Sequence, residues 1–292
     1  MKYKIRHSTR YKYRQAVSQC INLAYVRPRD TGRQRCNYAN ITVSPRPLHA
    51  AERVDYFGNH HLHFTVEQPH TVLEVTAESW VEIQPWKDLP SLDFGSGLGV
   101  AREQLLASQD PQDLLAREFL LDSPLITVTS AIREYALPSF DKSRTLLSSV
   151  RELTKRIFED FDYSPGFTDV STSLAEVLEH RRGVCQDFAH LGIACVRAMG
   201  FPARYVSGYL ETLPPPGQEK LVGSDQSHAW FAVYAPGEGW FEFDPTNNIM
   251  AAEQHITTAW GRDYADVAPL KGVIYGGGSQ PKLSVAVDVT RL

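Results

Sequence analysis

The chain is expected to be an α+β protein, and three features of the sequence predict this. Apolar residues alternate with period two over the first third, recur with helical period through the middle, and return to short alternating runs after a helix closed by glycine. The 292 residues are 42% hydrophobic and 22% charged, a composition that excludes collagen-like and largely disordered proteins. Length alone favours about two domains.

Residues 1–86 read as a β-sandwich-like module. Tyr3, Ile5 and His7 alternate with charged neighbours, Asn40 to Ser44 is a short β-branched run, and Leu62, Phe64 and Val66 share a face. Val72 to Trp80 alternates again through Val75 and Ala77, and breakers at Pro28, Pro45, Pro47, Gly58 and Pro69 separate the runs. From Pro85 to Arg102 the chain turns rich in glycine and proline. Residues 87–140 are therefore assigned to a linker and connecting helices, and 141–292 to a second, mixed domain.

The first clear helix is Arg144 to Phe161, with Leu146, Leu147, Val150, Leu153, Ile157, Phe158 and Phe161 on one stripe. Ser173 and Glu176 form a capping box that starts a short helix ending near His180–Arg182. A third helix follows Gly183 and is apolar nearly all round, with Gly200 and Pro202 as its stop. Strands then run over 203–209, 229–234 and 240–243, and the alternation of Leu283, Val285, Val287 and Val289 makes a last one. The long polar loop from Leu213 to Gln226 is of the kind that lines a site and shapes its specificity.

Only four cysteines occur, Cys20, Cys36, Cys185 and Cys195, too few for a disulfide scaffold and without the paired spacing of a zinc site. Cys185 and Cys195 lie on one helix, roughly 15 Å apart along its axis, well beyond the roughly 7 Å that a disulfide spans. Cys195 reads as a small core residue. Cys185 sits in the first turn, where unpaired amides and the positive end of the helix dipole favour a thiolate and can hold an oxyanion.

A thiolate nucleophile needs an imidazole and a group to orient it. His228 opens one strand and Asp244 ends the next, so hairpin register decides whether they meet. A five-residue loop, 235–239, sets residue 230 opposite 244 and leaves His228 and Asp244 as diagonal neighbours on one face. A four-residue loop, 236–239, sends them to opposite faces. The sequence leaves both registers open.

Other groupings read as structural. Net charge is only −4, which argues against nucleic acid and anionic membranes as partners. The cluster Lys2, Lys4, Arg6, Arg10, Lys12 and Arg14 alternates with apolar residues, as the solvated face of a strand does. His60, His61 and His63 lack the further ligands of a metal site, so no metal is expected there. Gly276 to Ser279 reads as a turn, since no Lys-Ser/Thr and no helix follow to make a phosphate loop. No apolar run reaches membrane-spanning length and no signal-peptide core follows the basic N-terminus, so a cytoplasmic protein is expected.

The segments Arg181–Leu191, Gly200–Tyr209, Ser227–Trp230 and Phe243–Asn247 resemble, in order, the core motifs of the transglutaminase-like superfamily. Leu23–Pro28, Asp55–His60, Pro69–Val75 and Gly261–Pro269 are similar to the N-terminal β-region and tail of bacterial members of the cysteine protease type. The resemblance implies a papain-like, transglutaminase-like core in which a cysteine-bearing helix packs on an antiparallel sheet. It implies Cys185 as nucleophile, His228 as general base and then acid, and Asp244 as the residue orienting the imidazolium. It further implies cleavage of peptide or amide bonds through a thioester, without cofactor or metal. Transamidation by the same triad is the alternative, and a non-catalytic binding protein that keeps the fold is a third reading. The substrate would be a peptide or protein, and the N-terminal module would offer a docking surface for a protein partner. Tyr163 is a candidate second oxyanion donor, although a tyrosine after an amphipathic helix more often packs, and Asp187 fits the Cys-x-Asp pattern but also suits the dipole at the helix start; neither is placed in the triad.

Overall fold

The computed structural model describes residues 1–86, 92–93, 95–212 and 226–292. The N-terminal alternation forms one long strand, β1 (Lys2–Ala24), whose inward residues are buried while Lys2, Lys4, Arg6, Arg10, Lys12 and Arg14 face solvent. It is followed by β2 (Gln34–Ser44), β3 (His49–Val54), β4 (His60–Val66) and β5 (His70–Ile83). The β-sandwich-like module takes the form of a seven-stranded sheet organised around β1, in the order β2-β5-β1-β4-β3, with two C-terminal strands also paired to β1.

Helices α1 (Leu98–Ala107), α2 (Pro111–Ala116) and α3 (Ser130–Ala136) lead into α4 (Leu146–Asp160). The Thr145 side chain caps α4 by accepting from the Ser148 amide, and Leu146, Leu147, Val150, Leu153 and Ile157 are buried as expected. Phe158, expected on that stripe, is instead 48% exposed. It lies about 100° around the helix from Ile157, past the edge of the buried face.

A two-residue strand, β6 (Asp162–Tyr163), pairs in parallel with β7 (Arg182–Gly183), and between them α5 (Leu174–His180) carries the Ser173–Glu176 capping box with both of its bonds made. The core helix α6 (Cys185–Ala198) begins at Cys185 and closes before Gly200, whose φ of +81° suits a residue without a side chain. Five antiparallel strands form the second sheet: β8 (Ala203–Leu210), β9 (Gln226–Ala235), β10 (Gly239–Asp244), β11 (Ile249–Met250) and β12 (His255–Gly261), ordered β11-β10-β9-β8-β12. Helix α6 approaches this sheet so closely that a Cβ on Gly192 would meet the Phe231 ring at 2.6 Å. The loop at 213–225, expected to shape specificity, lies outside the described residues.

After α7 (Tyr264–Val267), the chain returns to the first sheet. Strand β13 (Leu270–Gly276) pairs with Val17–Ala24 and β14 (Lys282–Arg291) with Tyr3–Lys12, so 270–291 are hydrogen-bonded to the N-terminal module although the sequence groups them with the second domain. Gly276, Gly277 and Gly278 all have positive φ and make the turn between them. Tyr3, Ile5, Val81 and Ile83 share a buried cluster with Tyr209 and Ile256 of the second sheet, which joins the two units through a hydrophobic contact. His7 Nδ1 and the Tyr209 hydroxyl, 2.9 Å apart, make a polar link within it.

Candidate active site

Register decides the site. Ala235 pairs with Gly239 and Phe231 with Phe243, which carries residue 230 to the position across from 244. Gly237 and Gly239, at φ +76° and +98°, let the chain reverse within 236–238. His228 and Asp244 therefore emerge on one face, and His228 Nε2 lies 2.8 Å from Asp244 Oδ2.

Asp244 is fully buried. Its Oδ1 accepts from the backbone amides of Thr246 (2.9 Å) and Asn247 (3.3 Å). Its Oδ2 accepts from Asn247 Nδ2 (2.7 Å) and His255 Nε2 (3.1 Å) besides His228. Burial alone would raise its pKa, but the hydrogen bonds and charges of His228 and His255 outweigh that and hold the carboxyl well below the usual carboxylate range. His255 Nδ1 accepts from the Ala252 amide (3.3 Å), which places its proton on Nε2, facing Asp244.

Burial also works against the charged form of His228. The bonds to Asp244 and to the Cys185 side chain, together with both charges, reverse this and lift the ring pKa to about 10. With Nε2 committed to Asp244, the nitrogen left to face Cys185 is Nδ1. Cys185 is half-buried at the first position of α6. Cys195 is fully buried in the same helix, and burial pushes its thiol up to about 12.

Asp187 turns back on its own helix: Oδ2 accepts from the Val184 amide (2.8 Å) and the Thr168 hydroxyl (2.6 Å). Tyr163 pairs with Gly183 across β6 and β7 and is half exposed, with its ring edge-on to Phe188. Burial, followed by the neighbouring Cys185, raises its phenol pKa.

His255 and Asn247 were not singled out by the sequence. Asn247 had a local signal, since it follows Asp244 by three residues in a turn and can bond back to it. His255 had none, because its strand is separated from β10 by β8 and β9 in the sheet order, and nothing local to the chain points to its contact with Asp244. The ligating atoms of His228, Asp244 and His255 lie within 4.8 Å of one another, close enough to hold a metal ion. The residues do not fit that use well, because Asp244 Oδ2 already accepts three hydrogen bonds and His255 presents N–H rather than a lone pair. Of the N-terminal histidines, His61 stacks on Tyr25 at 5.1 Å.

The fold and the ordered cysteine, histidine and aspartate define a class, and the chain belongs to the transglutaminase-like superfamily. The bacterial transglutaminase-like N-terminal region matches residues 3–82 and the transglutaminase-like superfamily core matches 133–245. An uncharacterized protein of Mycobacterium tuberculosis is 40% identical over 292 residues, covering 99% of this chain and 92% of that protein. A crystal structure described as "a Putative Cysteine Protease from Cytophaga hutchinsonii" superposes with a TM-score of 0.75 at 25% identity, over 99% of this chain and 90% of that one. A protein-glutamine gamma-glutamyltransferase of Pseudomonas aeruginosa is 35% identical over 106 residues, which is 35% of this chain and 16% of that protein. No helix among the described residues is long and apolar enough to cross a membrane.

Proposed function

We propose that the protein is a cysteine-dependent enzyme that cleaves peptide or amide bonds through an acyl-enzyme, with Cys185 as nucleophile, His228 as acid and base, and Asp244 as its orienting partner. One observation carries this reading. His228 is clamped by Nε2 to a buried carboxylate while its other nitrogen faces a cysteine at a helix start.

In the proposed cycle the Cys185 thiolate attacks the carbonyl carbon, and the developing oxyanion is met by amides at the start of α6. The C–N bond then breaks as His228 gives its proton to the leaving amine, leaving a thioester. Water attacks the thioester, His228 takes the water proton, and the acid departs as the thiolate is restored. Asp244 remains ionised throughout and stabilises the imidazolium. His255 and Asn247 hold Asp244 in place through its Oδ2. A cytoplasmic setting suits a chain whose four cysteines are all free.

Hydrolysis is favoured by the likeness over nearly the whole chain to the structure described as a cysteine protease. Transamidation, in which an amine replaces water at the thioester, is the second reading, favoured by the likeness to the glutamyltransferase. Iodoacetamide mapping by mass spectrometry tests the nucleophile: Cys185 should alkylate faster than Cys20, Cys36 and Cys195, and His228→Ala should remove that preference. Equal labelling of all four would overturn the assignment. Product analysis of a cleaved peptide library, with and without a lysine-like amine, then separates the hydrolase from the transferase.

A further inference from the structure

The sheet face that carries His228 and Asp244 also holds a group of charges that the proposed reaction does not use. A cleft of about 260 Å³ lies between this face and the N-terminal module, with Arg33 and Trp86 on the module side and Arg204, Glu242 and Trp260 on the core side. Arg204 is only 7% exposed. Its guanidinium stacks on Trp240 at 4.1 Å and on Trp260 at 3.7 Å, and Arg29 stacks on Trp260 at 3.2 Å. Arg204 is thus in stacking contact with two indole rings, one of which it shares with Arg29.

Stacking fixes the cation without supplying a counter-charge. Among the described residues, Arg204 Nε has no hydrogen-bond partner, and Glu242 is the carboxylate whose charge acts on the group. Burial, only partly offset by the charge of Glu242, lowers its pKa to about 9. Arg33 stacks on Trp86 at 3.9 Å and reaches only the carbonyls of Gln84 and Ala251, both at 3.5 Å. Glu242 is a shared counter-charge to Arg204 and Arg33 that forms no ion pair with either among the described residues; burial of a guanidinium so placed is costly, and two planar forks lining one cleft are suited to a carboxylate.

Glu242 limits the charge of any occupant. One of its oxygens accepts from Trp230 Nε1 at 2.8 Å, and its carboxylate on the cleft wall would repel a dianion. The indole walls favour a flat body, and the volume is below the roughly 300 Å³ at which drug-sized ligand sites begin. We propose that this cleft is a binding site for a small planar monocarboxylate, held by Arg204 and Arg33 between the tryptophan rings. His255 also lines the cleft, so the occupant would sit one hydrogen bond from Asp244. Binding there does not depend on Cys185 being a nucleophile.

Benzoate titrated into the full chain, followed by calorimetry and tryptophan fluorescence, tests the site. Saturable binding is expected, at least tenfold tighter than for the neutral isostere benzamide, with the His255 ring resonances moving in step with occupancy. Arg33→Gln, at the half-exposed mouth where folding is least at risk, should weaken benzoate at least tenfold, and Arg204→Gln should abolish binding in a chain that still folds. Absence of saturable binding, equal binding of benzamide, an unaltered Arg33→Gln variant or stationary His255 resonances would overturn the proposal. Tighter binding of phenyl phosphate than of benzoate would overturn the choice of a monoanion.

Discussion

The two faces of the second sheet are made by alternate residues of the same strands, and they serve opposite ends. Ala229, Phe231, Val233 and Phe243 face α6 in a close-packed apolar layer. His228, Trp230, Glu242 and Asp244 occupy the other face, where each polar group is held by a specific partner. Period-two geometry makes this division possible, since a strand can give every second residue to packing and the rest to chemistry. Changes on the apolar face should therefore act through stability and changes on the polar face through reactivity.

The largest effect is expected on the polar face. His228→Ala should lower peptide hydrolysis per folded molecule by on the order of 10²- to 10⁴-fold, as loss of a general acid-base does; activity per folded molecule preserved would break the division. Gly192→Ala tests the apolar face, because its Cβ would meet Phe231 at 2.6 Å. Overpacking of this kind costs about 1–3 kcal/mol, read as a lower urea midpoint with Cys185 alkylation unchanged at temperatures where the variant is folded.

His255→Ala should have a smaller effect, lowering kcat about tenfold, in the range of losing one supporting contact, with KM nearly unchanged. Removing this donor leaves Asp244 more negative, so the His228 pKa should rise, and NMR titration of the ring checks the sign. A fall in that pKa would show that His255 does not act through Asp244.

The pH dependence of stability isolates the proton held by His228. His228 is raised from 6.5 to about 10 in the folded chain, so the native state holds this proton more tightly than the unfolded one. Its contribution is complete below about pH 6.5 and is lost as pH rises towards 10. Urea midpoints at pH 6, 8 and 10 should fall for the parent chain and fall less for His228→Gln.

Much of this was legible locally. The Ser173–Glu176 capping box, the start of α6 at Cys185 and its stop before Gly200 are short-range signals, and each forms as its residues suggest. The alternating basic residues of β1 lie on its solvent face for the same reason. Phe158 was misread because a stripe drawn on a helix has no sharp edge until a neighbour defines it. The destination of β13 and β14 was not legible, since alternation marks a strand without naming its partner.

The sequence by itself determined which residues could carry the chemistry: one cysteine at a helix start, one histidine opening a strand and one aspartate ending the next. Helix dipoles, caps and alternation act within a few residues, so they can be read along the chain. Only the tertiary structure decided that His228 and Asp244 share a face, because that depends on whether Ala235 lies across from Gly239 or from Trp240. It alone brought His255 to Asp244 and laid Arg204 against a cleft bounded by the N-terminal module. These placements depend on sheet register, strand order and the docking of two units, which are set by contacts between residues far apart in the chain.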